Sequence, residues 1–148
     1  YDTVKSVFQG EDAPGSVEFV KVAMSPGMPQ GFGSVGDGAV PIVTLPGNPV
    51  SSYISFENFV RPVLERMRGV APIDRQSSAV CGADLPSPAG RRQFVRARFL
   101  DEGVVAPVGT GQGSHVMGGL ASAEALIVVP EDVTAVAVGD TVAIIDLR

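Results

Sequence analysis

A chain of 148 residues has room for one ordinary domain or two small ones, and its 45% hydrophobic residues supply ample material for a core. A formal charge of −5 and a pI near 4.7 argue against a nucleic-acid-binding surface, so any anion site must be local. The single cysteine, Cys81, excludes an internal disulfide and a multi-cysteine zinc site. With no apolar run of about 18 residues and no signal peptide, the sequence predicts a cytoplasmic protein without a membrane role.

The first half of the chain alternates strands and helices, which is α/β behaviour. A helix is predicted over residues 2–9, strands over 17–24, 30–35 and 41–45, and a long helix over 49–68. Glycines in the segment 36–38 predict a hairpin turn. Pro62 cannot donate to the carbonyl of Asn58, so a kink is expected in the long helix. Apolar residues at three- and four-residue steps predict its buried face: Val50, Tyr53, Phe56, Val60, Val63 and Met67.

The second half reads as short strands only. The composition changes near residues 69–72, which predicts a boundary between a domain at 1–70 and a domain at 71–148. The pattern predicts a small β domain, sandwich or barrel-like. Its strands are predicted over 77–84, 91–100, 103–108, 124–129 and 141–147, with turns at 86–90, 101–103 and 138–140.

The most informative segment is 44–52, where an apolar strand meets a helix through a glycine turn. Gly47 permits the turn, Asn48 is a good N-cap, and Pro49 suits the first helical position because its missing N–H has no intrahelical partner there. A helix start of this kind offers backbone N–H groups and a positive dipole end, which favours an oxyanion such as phosphate or molybdate. The hydroxyl of Ser51 adds a donor. An ordinary capped helix after a buried strand is the alternative.

Cations occur at two further positions. Lys21 lies within a predicted strand, and a lysine directed along the sheet would reach an anion held at the helix start; a solvated edge-strand lysine is the alternative. Arg92, Arg96 and Arg98 share one face of another predicted strand. Arginines on one face bind phosphate bidentately, whereas the alternative is a solvated strand face in an acidic protein.

A glycine-rich loop at residues 109–115 matches neither a P-loop nor a dinucleotide-binding fingerprint. Its alternating glycines would let the backbone approach a ligand closely, with Ser114 and His115 as polar contacts. His115 is the only histidine, which excludes a multi-histidine metal site within one chain. Asp2, taken alone, reads as a charge at the start of a helix.

Together these segments resemble the MoeA family of molybdenum-insertion enzymes, which is related to the C-terminal domain of gephyrin. The resemblance covers the whole chain, and its motifs occur in the family's order. The matching segments are Tyr1-Asp2, Val20-Lys21-Val22-Ala23-Met24-Ser25-Pro26-Gly27-Met28-Pro29, Phe32-Gly33, Leu45-Pro46-Gly47-Asn48-Pro49-Val50-Ser51, Phe59-Val60-Arg61-Pro62, Gly90-Arg91-Arg92-Gln93-Phe94-Val95-Arg96, Gly111-Gln112-Gly113-Ser114 and Ala125-Leu126-Ile127-Val128-Val129-Pro130.

The resemblance implies a fold and a reaction. The fold is part of a MogA-like molybdopterin-binding α/β domain followed by a small barrel-like all-β C-terminal domain. The reaction starts from molybdate and adenylylated molybdopterin, releases AMP and leaves molybdenum on the dithiolene, assisted by Mg²⁺ or Zn²⁺. The protein's task would be to hold two anions together and to stabilise developing charge. The family also implies a homodimer, with a molybdopterin adenylyltransferase as the upstream partner.

The resemblance carries site residues onto this chain one by one. Asp2 matches the acidic residue that closes the family's GGxSxGxxD segment, and Lys21 matches a functional lysine. Pro46 and Pro49 match the prolines of a PxxP turn. The two candidate catalytic residues are Asp2 and Lys21, and the candidate substrate-binding residues are Pro46, Gly47, Asn48, Pro49, Ser51, Arg96 and Ser114.

The chain also departs from the family pattern. Ser25 and Met28 stand where many members carry the lysines of KPGKP, so two cations are absent. A family member has further residues upstream, so we expect this chain alone to be inactive and its partial sheet to expose an apolar face. A noncatalytic, gephyrin-like scaffold or interaction module on the same fold is the main alternative, and a binding protein for another oxyanion is a third.

Overall fold

The computed structural model describes residues 2–8, 13–71, 73–108 and 118–148, and no helix in these ranges has the length and apolar character needed to cross a membrane. The first half forms a three-stranded antiparallel sheet in which Pro29–Val35 lies between Gly15–Lys21 and Val40–Thr44. The predicted strand over 17–24 is divided, because the chain leaves the sheet after Lys21 and re-enters strand structure at Met24. The elements are α1 (Asp2–Phe8), β1 (Gly15–Lys21), β2 (Met24–Ser25), β3 (Pro29–Val35) and β4 (Val40–Thr44).

The long helix covers the predicted residues but is not regular. It consists of α2 (Pro49–Ser55), a π-helical segment (Phe56–Val60) and α3 (Arg61–Met67). The π-helical segment ends two residues before Pro62, whose ring nitrogen cannot donate to Asn58. At its end, the amide of Arg61 donates to the carbonyl of Phe56, five residues back, as in a π-helix. The interruption expected at the proline is therefore present as a π-helical turn.

The predicted buried face of this helix is only partly correct. Val50 is buried as expected, but the other buried residues of the next two turns are ones that the pattern did not predict: Ser51, Ile54, Ser55 and Glu57. Met67 is 67% exposed, which contradicts the prediction for that position. The π-helical segment inserts an extra residue into the turn, which rotates all later side chains by about 100° relative to the 3.6-residue pattern.

The second half forms a closed barrel of five strands, in the order Arg92–Asp101, Val104–Pro107, Gln76–Cys81, Thr141–Asp146 and Ala125–Val129, with the last of these paired with the first. The barrel prediction is confirmed, including its five longer strands. Three short elements were not predicted, because two-residue strands and a four-residue helix carry too few residues for a periodic pattern. The elements are β5 (Gln76–Cys81), β6 (Leu85–Pro86), β7 (Arg92–Asp101), β8 (Val104–Pro107), α4 (Gly118–Ala121), β9 (Ala125–Val129), β10 (Ala135–Val136) and β11 (Thr141–Asp146).

Both faces of β7 are buried, each in a different core. Val95 and Ala97 point into the barrel, where they pack among residues such as Ile127 and Ile144. Phe94 points outward and packs against helix α2. The barrel thus has an ordinary apolar interior and a second apolar surface on the outside of β7.

The two halves share that second core. Val50 and Ile54 of α2 lie against Phe94 of β7 and Leu126 of β9, and all four are less than 9% exposed. In addition, β2 pairs in parallel with β7, so that Met24 lies opposite Arg92 in the barrel sheet. Residues from the first half are therefore part of the barrel's own sheet.

The sheet of the first half has an exposed apolar face, as expected. An open cleft of about 410 Å³ lies between strands β1, β3 and β4 and the π-helical segment, and Val20, Phe32 and Phe59 line it. The side chain of Phe32 is 58% exposed.

Candidate functional site

The turn after β4 is a helix start capped by Asn48. The Oδ1 atom of Asn48 accepts hydrogen bonds from the amides of Val50 at 3.1 Å and Ser51 at 3.2 Å, and from the Ser51 hydroxyl at 3.4 Å. Pro49 occupies the first helical turn, and the hydroxyl of Ser52 donates to the carbonyl of Pro46. The predicted N-cap and first-turn proline are confirmed.

This capping determines what the helix start can do. The amides of Val50 and Ser51 already have an acceptor in Asn48, and the Ser52 amide donates to the Asn48 carbonyl at 2.8 Å. An incoming anion would have to replace the Asn48 side chain or bind beside it, at exposed Gly47 and Pro49. The oxyanion role of this turn stays a prediction.

The sheet register brings Lys21 to the same edge as this turn. Thr44 at the end of β4 is level with Gly31 and, across β3, with Phe19, so β1 and β4 end at the same edge of the sheet. Two strand spacings, about 10 Å, separate β1 from β4 at that edge. Lys21 is exposed and shares its sheet face with Phe19, opposite the face that forms the apolar cleft.

Two buried polar residues that sequence reasoning missed hold the loop beyond Lys21 against helix α2. The side-chain amide of Gln30 donates to the carbonyl of Gly27 at 2.5 Å and to the hydroxyl of Ser55 at 2.6 Å. A Cβ at Gly27 would lie 2.9 Å from that hydroxyl, so glycine permits the close approach. The signal in the sequence was weak, because a lone glutamine in a strand is ordinarily solvated.

Of the three same-face arginines, only Arg96 is buried, at 6% exposed. Its guanidinium lies against Gly119 of α4, where an added Cβ would be 3.1 Å from Nη1. Arg92 instead pairs with Glu131 at the surface, at 3.1 Å, and Arg98 is exposed. A hydrogen bond from its own backbone amide, with help from Arg92, lowers the pKa of Glu131. The three arginines thus do not form one phosphate-binding face.

The other predicted residues fall partly outside the described structure. Helix α1 begins at Asp2, but the side chain of Asp2 lies outside the described residues. Ser114 and His115 of the glycine-rich loop also lie outside them. Pro46 and Ser51 are buried in the Asn48 turn.

The shared core brings two of these groups onto touching elements. Helix α2, which begins after Asn48, packs its Val50 and Ile54 onto Phe94, and Arg96 follows Phe94 on the same outward face of β7. The Asn48 turn and Arg96 therefore lie on elements that pack against each other through a single apolar cluster.

The described residues do not fit a metal centre. Within the described ranges, no group of three His, Cys, Asp or Glu side chains is arranged to hold a metal ion. The described part of the chain supplies no ligand set for the Mg²⁺ or Zn²⁺ that the resemblance implies.

Comparison with known proteins agrees with this fold. Residues 1–66 match the family described as "Probable molybdopterin binding domain", and residues 78–147 match "MoeA C-terminal region (domain IV)". The chain is 49% identical over 152 residues to molybdopterin molybdenumtransferase 2 of Mycobacterium tuberculosis, covering 99% of this chain and 37% of that protein. Molybdopterin molybdenumtransferase 1 of the same species is 38% identical, over 86% of this chain and 32% of its own length.

A solved structure gives the same result in three dimensions. The molybdopterin biosynthesis moeA protein of Pyrococcus horikoshii OT3 superposes with a TM-score of 0.71 at 28% identity, covering 88% of this chain and 32% of that one. The chain thus spans about a third of the length of the relatives it matches. Its two matched segments, one in each half and joined through the Phe94 core, show that the chain belongs to the MoeA family.

Proposed function

We propose that this chain is part of a molybdopterin molybdenumtransferase, which inserts molybdate into adenylylated molybdopterin and releases AMP. Residues 1–70 would belong to the molybdopterin-binding α/β domain and residues 71–148 would form the C-terminal β domain. The 49% identity to a named molybdopterin molybdenumtransferase across 99% of the chain supports this proposal most strongly.

The geometry suits a site that holds two anions. The Asn48 turn with Lys21 at the same sheet edge would contact one part of the substrate, and Arg96 would stabilise charge that develops on phosphate or molybdate oxygens. A buried guanidinium suits this task, because a charge in a low-dielectric site acts more strongly than one in water. Asp2 and Ser114 would complete the site.

The activity belongs to the longer protein. Because the chain spans 37% of its relative, we propose that the chain alone is inactive and that the longer protein is a homodimer supplied by a molybdopterin adenylyltransferase. Ser25, which stands where many members carry lysine, lies in β2 opposite Gln93 of the barrel. Loss of that cation would weaken anion binding without breaking the strand pairing.

The test is molybdate-dependent AMP release from adenylylated molybdopterin by the longer protein that contains this chain. We expect Asp2→Ala to abolish release and Arg96→Gln to slow it by roughly a hundredfold, the usual loss when a donor to developing negative charge is removed. Glu131→Gln is the matched control, since Glu131 forms an exposed ion pair on the barrel surface. Circular dichroism establishes that each variant is folded.

The scaffold alternative predicts a different result. If the folded longer protein binds molybdopterin but releases no AMP under any molybdate or divalent-cation condition, the transferase proposal is wrong. The replaced lysines at Ser25 and Met28 would then be the first positions to restore.

A further inference from the structure

Glu57 is a buried carboxylate in the π-helical segment. Its side chain is only 2% exposed, and it follows Val50 and Ile54 on the face of the helix that packs against the barrel. A carboxylate at such a position is costly to bury unless cations and hydrogen-bond donors satisfy it. Its partners therefore indicate why it is there.

One carboxylate faces two guanidinium groups. Arg61 binds Glu57 with two parallel hydrogen bonds, Nε to Oε2 and Nη2 to Oε1, each 2.7 Å long. Nη1 of Arg75 lies 3.8 Å from Oε2. Tyr53 also interacts with this carboxylate: burial, and then the charge of Glu57, raise the pKa of its hydroxyl. The bidentate pair fixes the carboxylate plane, which leaves Oε2 directed at Arg75.

The backbone of Arg75 is hydrogen-bonded to the barrel. Its carbonyl accepts the Asp146 amide at 3.1 Å, at the end of β11, and the next residue, Gln76, opens β5 opposite Ile145. Glu57 and Arg61 lie on the helix of the first half. The Glu57–Arg75 contact therefore joins the helix directly to the first barrel strand, on the other side of the connecting segment 68–74.

We propose that Glu57 is a positioning residue that clamps the start of the barrel, through Arg75, to the helix and so sets the orientation of β7 and Arg96 relative to the Asn48 turn. The apolar core between Ile54 and Phe94 holds the two halves together by a non-directional attraction, whereas the 3.8 Å ion pair between Glu57 and Arg75 joins one defined point of the helix to the start of β5. Its part in activity rests on the proposed function; the clamp itself does not.

Trypsin cleavage of the 148-residue chain tests the clamp directly. One peptide bond that trypsin can cleave follows Arg68, which takes no part in the clamp, and another follows Arg75, which does. Arg68 ends α3 and is exposed, whereas Arg75 is held by Glu57. We expect Glu57→Gln to accelerate cleavage after Arg75 by roughly tenfold, since cleavage follows the population of the opened state, and to leave cleavage after Arg68 unchanged.

Comparing the cleavage rates at the two bonds of one molecule distinguishes a positioning role of Glu57 from a general effect on stability. Equal acceleration at Arg68 and Arg75 would mean that Glu57 only stabilises the fold, and unchanged rates at both would mean that no clamp exists; either result overturns the proposal. Glu131→Gln, which removes an exposed carboxylate from another ion pair, is expected to change neither rate.

In the longer protein, a second comparison links the clamp to Arg96. If Glu57 acts by positioning Arg96, the AMP-release defects of Glu57→Gln and Arg96→Gln are non-additive, and the double variant is no slower than Arg96→Gln alone. If the fold-losses in AMP release of the two single variants multiply in the double variant, Glu57 does not act through Arg96. Absence of AMP release from the wild type would contradict the proposed function only, because the trypsin result does not depend on it.

Discussion

At the scale of single residues, Asn48 satisfies donors that the helix start would otherwise leave open. Its Oδ1 atom accepts from two amides and a hydroxyl. We predict that Asn48→Ala lowers the free energy of unfolding by about 1 kcal/mol, the usual cost of losing an N-cap, while Asn48→Asp retains most of the stability. Urea unfolding monitored by circular dichroism measures both. Equal losses in the two variants would contradict the capping role.

Tyr53 offers a spectroscopic prediction at the same scale. Burial, and next the charge of Glu57, raise the pKa of Tyr53 above its ordinary value of 10.0. In a Tyr1→Phe background, which leaves Tyr53 as the only tyrosine, phenolate absorbance should rise at a pH above 10. Glu57→Gln should lower that midpoint towards the ordinary value, because the repelling charge is gone. An unshifted midpoint in the Glu57 variant would argue that burial alone is responsible.

The same raised pKa has a consequence for stability. Between the ordinary pKa and the folded pKa, the folded state retains a proton that the unfolded state has lost, so the free energy of unfolding falls as the pH rises above 10. This part of the decline should be absent in Tyr53→Phe. Denaturant unfolding at a series of alkaline pH values measures the difference between the two chains.

The sequence predicted single residues where their roles are local. Asn48 and Pro49 were assigned correctly because an N-cap and a first-turn proline depend only on adjacent residues. Glu57 was missed, since its partner Arg75 comes eighteen residues later and is brought near only by the fold. Arg96 was indistinguishable from its neighbouring arginines, because α4, which covers it, follows a loop that carries no periodic pattern.

At the scale of elements, β3 depends on glycine for its close approach to β1. Gly33 lies opposite Val17, and a Cβ there would lie 2.7 Å from the Val17 Cα and closer still to the carbonyl oxygen of Ser16. We predict that Gly33→Ala costs about 1–3 kcal/mol, the usual range for forced repacking. Gly38→Ala is the matched control, because the nearest atom to its Cβ would be 3.8 Å away. Comparable unfolding midpoints for the two variants would contradict the prediction.

Elements were predictable in proportion to their length and regularity. The longer strands mostly show alternation that survives in the fold, as in β11, where the buried Val142 and Ile144 alternate with more exposed residues. Strand β7 differs because both of its faces are buried. The short strands β2, β6 and β10 exist because distant residues pair with them, so no local pattern marks them. The predicted buried face of the long helix is wrong at Met67, because a 3.6-residue pattern assumes an unbroken α-helix. The π-helical turn before Pro62 interrupts that helix.

At the scale of the whole molecule, the two halves should stay together after the connection is cut. The shared core and the β2–β7 pairing cross the boundary without using the connecting segment. We predict that a chain cleaved at an engineered protease site in the exposed segment 68–71 elutes as one species in size-exclusion chromatography, and that its fragments separate only in denaturant.

A weakened core provides the control for that experiment. Ile54→Ala removes a fully buried side chain from the contact between α2 and the barrel, at a cost of about 2–5 kcal/mol. The cleaved variant should therefore release its fragments at a lower denaturant concentration than the cleaved wild type. Fragments of the wild type that separate in native buffer would contradict the prediction.

The shared core also bears on how the chain is made. Synthesis delivers α2 before the barrel strands, yet its apolar face at Val50 and Ile54 has its partners at Phe94 and Leu126. While the ribosome adds the intervening residues, that face is without its native cover, and the barrel cannot close until β9 has emerged to pair with β7. The apolar face of α2 therefore cannot complete its core until residues some forty to seventy positions later, Phe94 and Leu126, have been added.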